Sequence, residues 1–172
     1  MVTSTKMGFN SLYIRTKNEY KMKKTIALFS LFLALAFGVK AQVEDPVKWT
    51  FSAKKKSANT YEVVISAVFA KPWHVYSQTT PDGGPIPTKI SFKKNPLVTV
   101  DGKVKEVGSM KTSHDENFGV DVKYYSEKVD FVQVVKVKGN VKTNITGEVE
   151  YMTCDDTRCL PPTSKAFNIK LQ

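Results

Sequence analysis

The sequence predicts an all-β protein, an immunoglobulin-like antiparallel β-sandwich preceded by a signal peptide. Three observations carry this reading. Apolar residues recur at every second position through most of the chain, turn residues interrupt them about every ten residues, and a short apolar run follows a basic cluster near the start.

The leader comes first. Lys21, Lys23 and Lys24 precede an apolar run from Thr25 to Val39, which ends in Val39-Lys40-Ala41 ahead of Gln42. Charged start, greasy middle and small residues at the cut are the parts of a secretory signal. The run is shorter than the roughly 18 to 20 residues that cross a bilayer, so a permanent anchor is the weaker reading. Residues 1–41 are therefore expected to be removed after Ala41, with an extended basic region and a start that can fall at Met22. No cysteine stands at the cut, so a lipoprotein is not indicated.

Removing the leader changes the charge. The whole chain carries +10, and seven cations against Glu19 put +6 of that in residues 1–41, leaving +4. So small a surplus argues against nucleic acid or a membrane surface as a direct partner. Residues 42–172, roughly 130 in number, suffice for one domain that buries about two thirds of its unfolded surface.

Within that domain, Val47 to Ala53 opens a first strand, and Lys54-Lys55-Lys56 leads into a solvated hairpin turn at Ser57-Ala58-Asn59. Tyr61, Val63, Ile65, Ala67 and Phe69 then alternate with their neighbours as an inward face. Lys71-Pro72 breaks the run before a short extended piece, Trp73 to Tyr76. Thr80 to Pro87 is irregular, because its prolines remove donors and its glycines favour turns. Ile90 and Phe92 mark another strand. Asp101-Gly102, between Val98-Thr99-Val100 and Lys103-Val104-Lys105, is a hairpin signal. Val129 to Val137, Ile145 to Tyr151 and Phe167 to Leu171 complete some eight or nine strands.

Both cysteines lie in Tyr151-Met152-Thr153-Cys154-Asp155-Asp156-Thr157-Arg158-Cys159-Leu160-Pro161-Pro162. The spacing suits a disulfide across one tight loop, which an exported protein would hold oxidised. A ring this small stabilises by only about 2 kcal/mol on the loop-entropy account, and the domain has core enough to fold without it. A short polar loop is a weak staple but a reachable exchange site. Asp155 and Asp156 disfavour a thiolate there and Arg158 favours one. A zinc set of Cys154, Cys159, His74 and His114 is conceivable on paper, but the histidines lack ligand spacing, so neither a metal nor a cofactor is expected.

Cys-x4-Cys-Leu-Pro-Pro near the end of such a domain resembles the N-terminal periplasmic domain of the DsbD family of transmembrane thiol:disulfide interchange reductases, where Tyr-x-x-Cys leads into Cys-x-Pro-Pro. Trp73-His74-Val75-Tyr76-Ser77 is similar to that family's aromatic strand, and Ser113-His114-Asp115-Glu116-Asn117-Phe118-Gly119 resembles its cap loop. The resemblance spans the whole mature chain. It implies a protein-disulfide reductase component that takes electrons from a thioredoxin-like domain and passes them to oxidised periplasmic client proteins. Cys159 is implied as the sulfur attacked and Cys154 as the one that resolves the mixed disulfide. Asp115, Glu116 and Phe118 are implied as the cap, with Tyr76 packed beside it.

Two positions depart from the family's pattern. Asn117 follows the acidic pair where the family has an aromatic, and His74 stands where it has a tyrosine, either as a proton donor or as a core residue. The chain ends at Gln172 without a membrane-spanning bundle or a thioredoxin module, so a thioredoxin-like domain or transmembrane reductase is expected in trans, and membrane association only through partners. The rival reading is a non-enzymatic immunoglobulin-like binding or structural module with an inert disulfide.

Overall fold

The computed structural model describes residues 20–21, 45–116, 118–139 and 141–172. The chain divides into two units, Met1–Glu44 and Asp45–Gln172, and the fold below is that of the second. The expected signal segment and its cut after Ala41 lie outside the described residues, apart from Tyr20 and Lys21.

Among the described residues eleven strands follow in order: β1 (Val47–Lys55), β2 (Thr60–Phe69), β3 (His74–Tyr76), β4 (Lys89–Phe92), β5 (Val98–Gly108), β6 (Lys111–Asp115), β7 (Val120–Tyr125), β8 (Lys128–Val137), β9 (Thr143–Tyr151), β10 (Thr153–Cys154) and β11 (Thr163–Leu171). They form three antiparallel sheets ordered β1-β2-β8-β5, β11-β9-β4 and β10-β3-β7-β6.

The first two sheets make the sandwich. Period-two alternation puts Tyr61, Val63, Ile65, Ala67 and Phe69 of β2 on one face, and the register pairs Ile65 with Phe131 and Ala67 with Val129 of β8. Ile145, Val149 and Tyr151 of β9 and Phe167, Ile169 and Leu171 of β11 face them in one core. Aromatic contacts cross the layers: Trp49 lies 5.0 Å from Tyr151 and Phe51 lies 5.5 Å from Phe167, between ring centroids. Burial of these side chains, at about 1.5 to 3 kcal/mol each, is the main force holding the sheets together.

Gly147 sits mid-strand in β9, between Phe92 of β4 and Phe167 of β11. A Cβ there would collide with the Ser91 carbonyl and the Phe167 ring, so a side chain at this position is excluded by space rather than by backbone conformation.

The predicted hairpin at Asp101-Gly102 is not formed. Val98 to Gly108 is one strand along β8, with a register shift between Asp101 and Lys105. Gly102, at φ +74°, supplies the left-handed residue that a bulge and a hairpin turn both use, which is why the local signal misled. The long β-branched run of β8 decides the matter by pairing with both halves. Gln133 of β8 is buried opposite the bulge, and its Nε2 donates to the Asp101 carbonyl at 2.8 Å and the Val134 carbonyl at 2.9 Å. The bulge thereby keeps its carbonyl satisfied.

Candidate functional site

The third sheet carries the cysteines. β9 and β10 form one extended run broken only at Met152, so the chain leaves the sandwich and pairs with β3, setting Cys154 opposite His74 and Thr153 opposite Val75. β3 pairs in turn with β7, Tyr76 against Tyr124 and Val75 against Tyr125. Alternation then sorts the sheet's two faces. Val75 and Tyr125 join the main core, while Cys154, Tyr76 and Val122 form a second apolar cluster on the opposite side. Lys111, Ser113 and Asp115 of β6 share that second face through their pairing with Tyr124, Val122 and Val120.

A cleft of about 800 Å³ opens over this face. Cys154, Cys159, His74, Tyr76, Asp115, Glu116 and Phe118 all line it, so the structure brings together every site residue expected from the sequence. The segment expected from the resemblance to be a cap lies at the β6–β7 hairpin: Asp115 ends β6 and the Gly119 amide donates to its carbonyl at 2.7 Å. Phe118 is exposed at that tip. Asn117 lies outside the described residues.

Cys154 and Cys159 are joined in a disulfide, with their Cα atoms 4.0 Å apart across an antiparallel bridge. The expectation of an exposed pair is half right: Cys154 is 2% exposed, whereas Cys159 is open to solvent. Cys154 sits on a strand with Tyr76 and Val122 packed against it, and Cys159 lies on the returning arm beyond the sheet. The sulfurs that a zinc set would use are thus bonded to each other, and His114 is engaged elsewhere, its Nδ1 2.9 Å from Asp121 Oδ1.

Backbone and side-chain hydrogen bonds close the loop. The Asp155 amide donates to the Arg158 carbonyl at 2.9 Å and the Leu160 amide to the Thr153 carbonyl at 2.8 Å. Asp155 Oδ1 accepts from the Thr157 amide, the Thr157 hydroxyl and the Arg158 amide, each at 2.8 Å. These bonds, that from the Thr157 amide foremost, hold the Asp155 carboxyl below the usual carboxylate range. The Arg158 guanidinium lies 5.4 Å from the centre of the Trp73 ring.

His74 is half-buried against Tyr124 and Tyr76, at 4.8 and 5.3 Å between ring centroids. Burial lowers its pKa, opposed by Asp156, Asp115 and Asp155 and by a backbone hydrogen bond at Pro72. Tyr76 is pushed up to about 12, by burial first and then by Asp115 and Tyr124. His74 Nε2 and Tyr76 Oη lie 3.3 Å apart, a hydrogen bond whose direction is set by the histidine tautomer.

The exit of β3 is clamped from the sandwich. Glu106 of β5 accepts from the Ser77 hydroxyl at 2.6 Å, the Gln78 amide at 2.7 Å and the Tyr125 hydroxyl at 3.0 Å. Thr88 holds the Tyr76 carbonyl through its hydroxyl at 2.6 Å. These bonds fix the row that carries His74 and Tyr76.

Sequence reasoning missed Tyr124 and the whole of β7. The signal was present, since Val120, Val122 and Tyr124 alternate with Asp121 and Lys123. It also missed Asp155 as the acceptor that organises the turn.

A family model described as Thiol:disulfide interchange protein DsbD, N-terminal, matches residues 40–171. No curated protein sequence matches the chain. Among solved structures, the reduced N-terminal domain of Neisseria meningitidis DsbD is 17% identical, with 66% of this chain and 78% of that chain covered and a TM-score of 0.47. The DsbD N-terminal domain in complex with the PilB N-terminal domain, also from Neisseria meningitidis, is 14% identical, with 77% and 91% covered and a TM-score of 0.49. With its cysteine pair oxidised at the mouth of a cleft and a family match across nearly all of the β domain, this chain belongs to the family of the N-terminal domain of the thiol:disulfide interchange protein DsbD, a thiol-disulfide exchange domain.

Proposed function

We propose that the domain is a periplasmic redox relay, exported by a signal peptide cut after Ala41, in which Cys154 and Cys159 pass electrons from a thioredoxin-like donor to oxidised exported proteins. The donor is a thioredoxin-like domain or a transmembrane reductase on another chain. The observation that supports this best is the asymmetry of the pair: both line the cleft, but Cys159 is exposed there while Cys154 is only 2% exposed.

Exchange requires a thiolate to approach one sulfur along the S–S axis. Only Cys159 is open to such an approach. The donor's thiolate bonds to Cys159, the S–S bond breaks, and its electron pair leaves with Cys154, which takes up a proton. The donor's second thiolate then attacks the donor's own sulfur in the mixed disulfide and leaves Cys159 reduced. In the forward transfer Cys159 attacks a client disulfide, and Cys154 resolves the adduct by re-forming the Cys154–Cys159 bond. Phe118, Asp115 and Glu116, at the β6–β7 tip, are the cap in this reading, and Tyr76 and His74 floor the cleft.

The test is mixed-disulfide trapping with a thioredoxin-like protein. Cys154→Ser should accumulate the adduct through Cys159, because the resolving sulfur is gone, and Cys159→Ser should accumulate at least tenfold less. Equal trapping by both variants, or trapping by neither, would exclude the assignment. A disulfide that stays oxidised below about −300 mV would favour an inert bridge instead.

A further inference from the structure

The turn between the cysteines is closed by bonds that do not involve sulfur. Two backbone hydrogen bonds span it, Asp155 to Arg158 and Leu160 to Thr153, and one carboxylate oxygen of Asp155 accepts three more. The other oxygen lies 3.8 Å from Arg158 Nε, and the Arg158 guanidinium sits over Trp73, which is itself buried. When the S–S bond is reduced all of these contacts can persist. The two thiols then remain where the antiparallel bridge sets them, and re-forming the disulfide requires little further ordering of the chain.

From this we infer that Asp155 is a positioning residue that sets the redox poise of the pair, by holding the reduced loop in the hairpin that the oxidised loop already has. The inference rests on the exchange reading above and adds the regulation of its equilibrium. A dithiol held in register behaves as though at high local concentration, so oxidation is favoured and the reduced domain is a stronger reductant toward clients. In the oxidised form the covalent bond keeps the loop closed even when these hydrogen bonds are lost. Loss of Asp155 therefore falls mainly on the reduced form, which gains freedom and becomes the more populated state.

The experiment equilibrates the whole domain with dithiothreitol buffers at pH 7. In the reaction, dithiothreitol loses two electrons and two protons, and the Cys154–Cys159 disulfide gains them as two thiols. Asp155→Ala should raise the equilibrium constant for reduction by about three- to tenfold, a potential less negative by about 14 to 30 mV. Asp155→Asn keeps an oxygen acceptor for the Thr157 and Arg158 amides but removes the charge, and should move the constant less than about twofold. Thr157→Val removes one hydrogen bond without touching a charge. It should raise the constant about twofold, and it decides the matter if Asp155→Ala does not fold.

Equal shifts in Asp155→Ala and Asp155→Asn would assign the effect to charge on the thiolate and overturn the inference. So would no shift in Asp155→Ala, or in Thr157→Val where that variant decides. Partner trapping is read separately. A domain that shows the Asp155→Ala shift yet forms no adduct with a thioredoxin-like protein would refute the relay and leave the inference standing.

Discussion

His74 faces Cys154 across the β3–β10 ladder, and burial makes its neutral form the preferred one in the folded domain. The unfolded chain, with a histidine near its ordinary 6.5, binds a proton that the folded chain refuses. In the window between the lowered folded value and 6.5 the unfolded state carries more protons, so this residue makes stability rise with pH and fall on acidification. Above 6.5 neither state is protonated and the contribution is flat. His74→Gln should therefore lose less stability than the wild type between pH 7.5 and pH 5.5, measured by urea unfolding of the oxidised protein. Equal losses would place the acid sensitivity elsewhere.

Among the elements, β9 shows how one missing side chain sets a strand's surroundings. Gly147 allows β4 and β11 to close on either side of it, with the Phe92 and Phe167 rings 5.6 Å apart at their centroids. Gly147→Ala should cost about 2 to 3 kcal/mol, because neither the Ser91 carbonyl nor the packed Phe167 ring can yield without breaking other contacts. Chemical denaturation checks this, and a loss below 0.5 kcal/mol on the scale of surface substitutions would mean that the sheet relaxes freely. The same strand leads directly into β10. Damage of this kind should therefore also loosen the site, read as slower adduct formation by Cys154→Ser/Gly147→Ala than by Cys154→Ser alone.

For the whole molecule, the cysteine bridge and the core are nearly independent. The bridge closes a separation of five residues, while among the described residues eighteen buried ones from both layers of the sandwich and from the third sheet form the main core. Cys154→Ser/Cys159→Ser should stay folded, with a loss of no more than about 2 kcal/mol by equilibrium denaturation. A double variant that fails to fold would make the disulfide structural and would remove the physical basis for a freely exchanging pair.

Strand identity was legible in the sequence for most strands that bury one face, β7 being the exception. Period-two alternation marks β2, β4, β9 and β11, and the β-branched run marks β8, because a sandwich must hide alternate side chains. The cysteine loop was legible too, since its residue types are rare and close together in the chain. What the sequence could not decide was pairing. Gly102 has the same local chemistry in a bulge as in a hairpin, and only the partner β8 chooses between them. Nor could the residues of the loop by themselves tell the two sulfurs apart, a distinction that only the family resemblance implied. Cys154 is buried and Cys159 open because one lies on a sheet strand with Tyr76 and Val122 packed against it and the other on the arm that leaves the sheet, a difference that arises from long-range contacts alone.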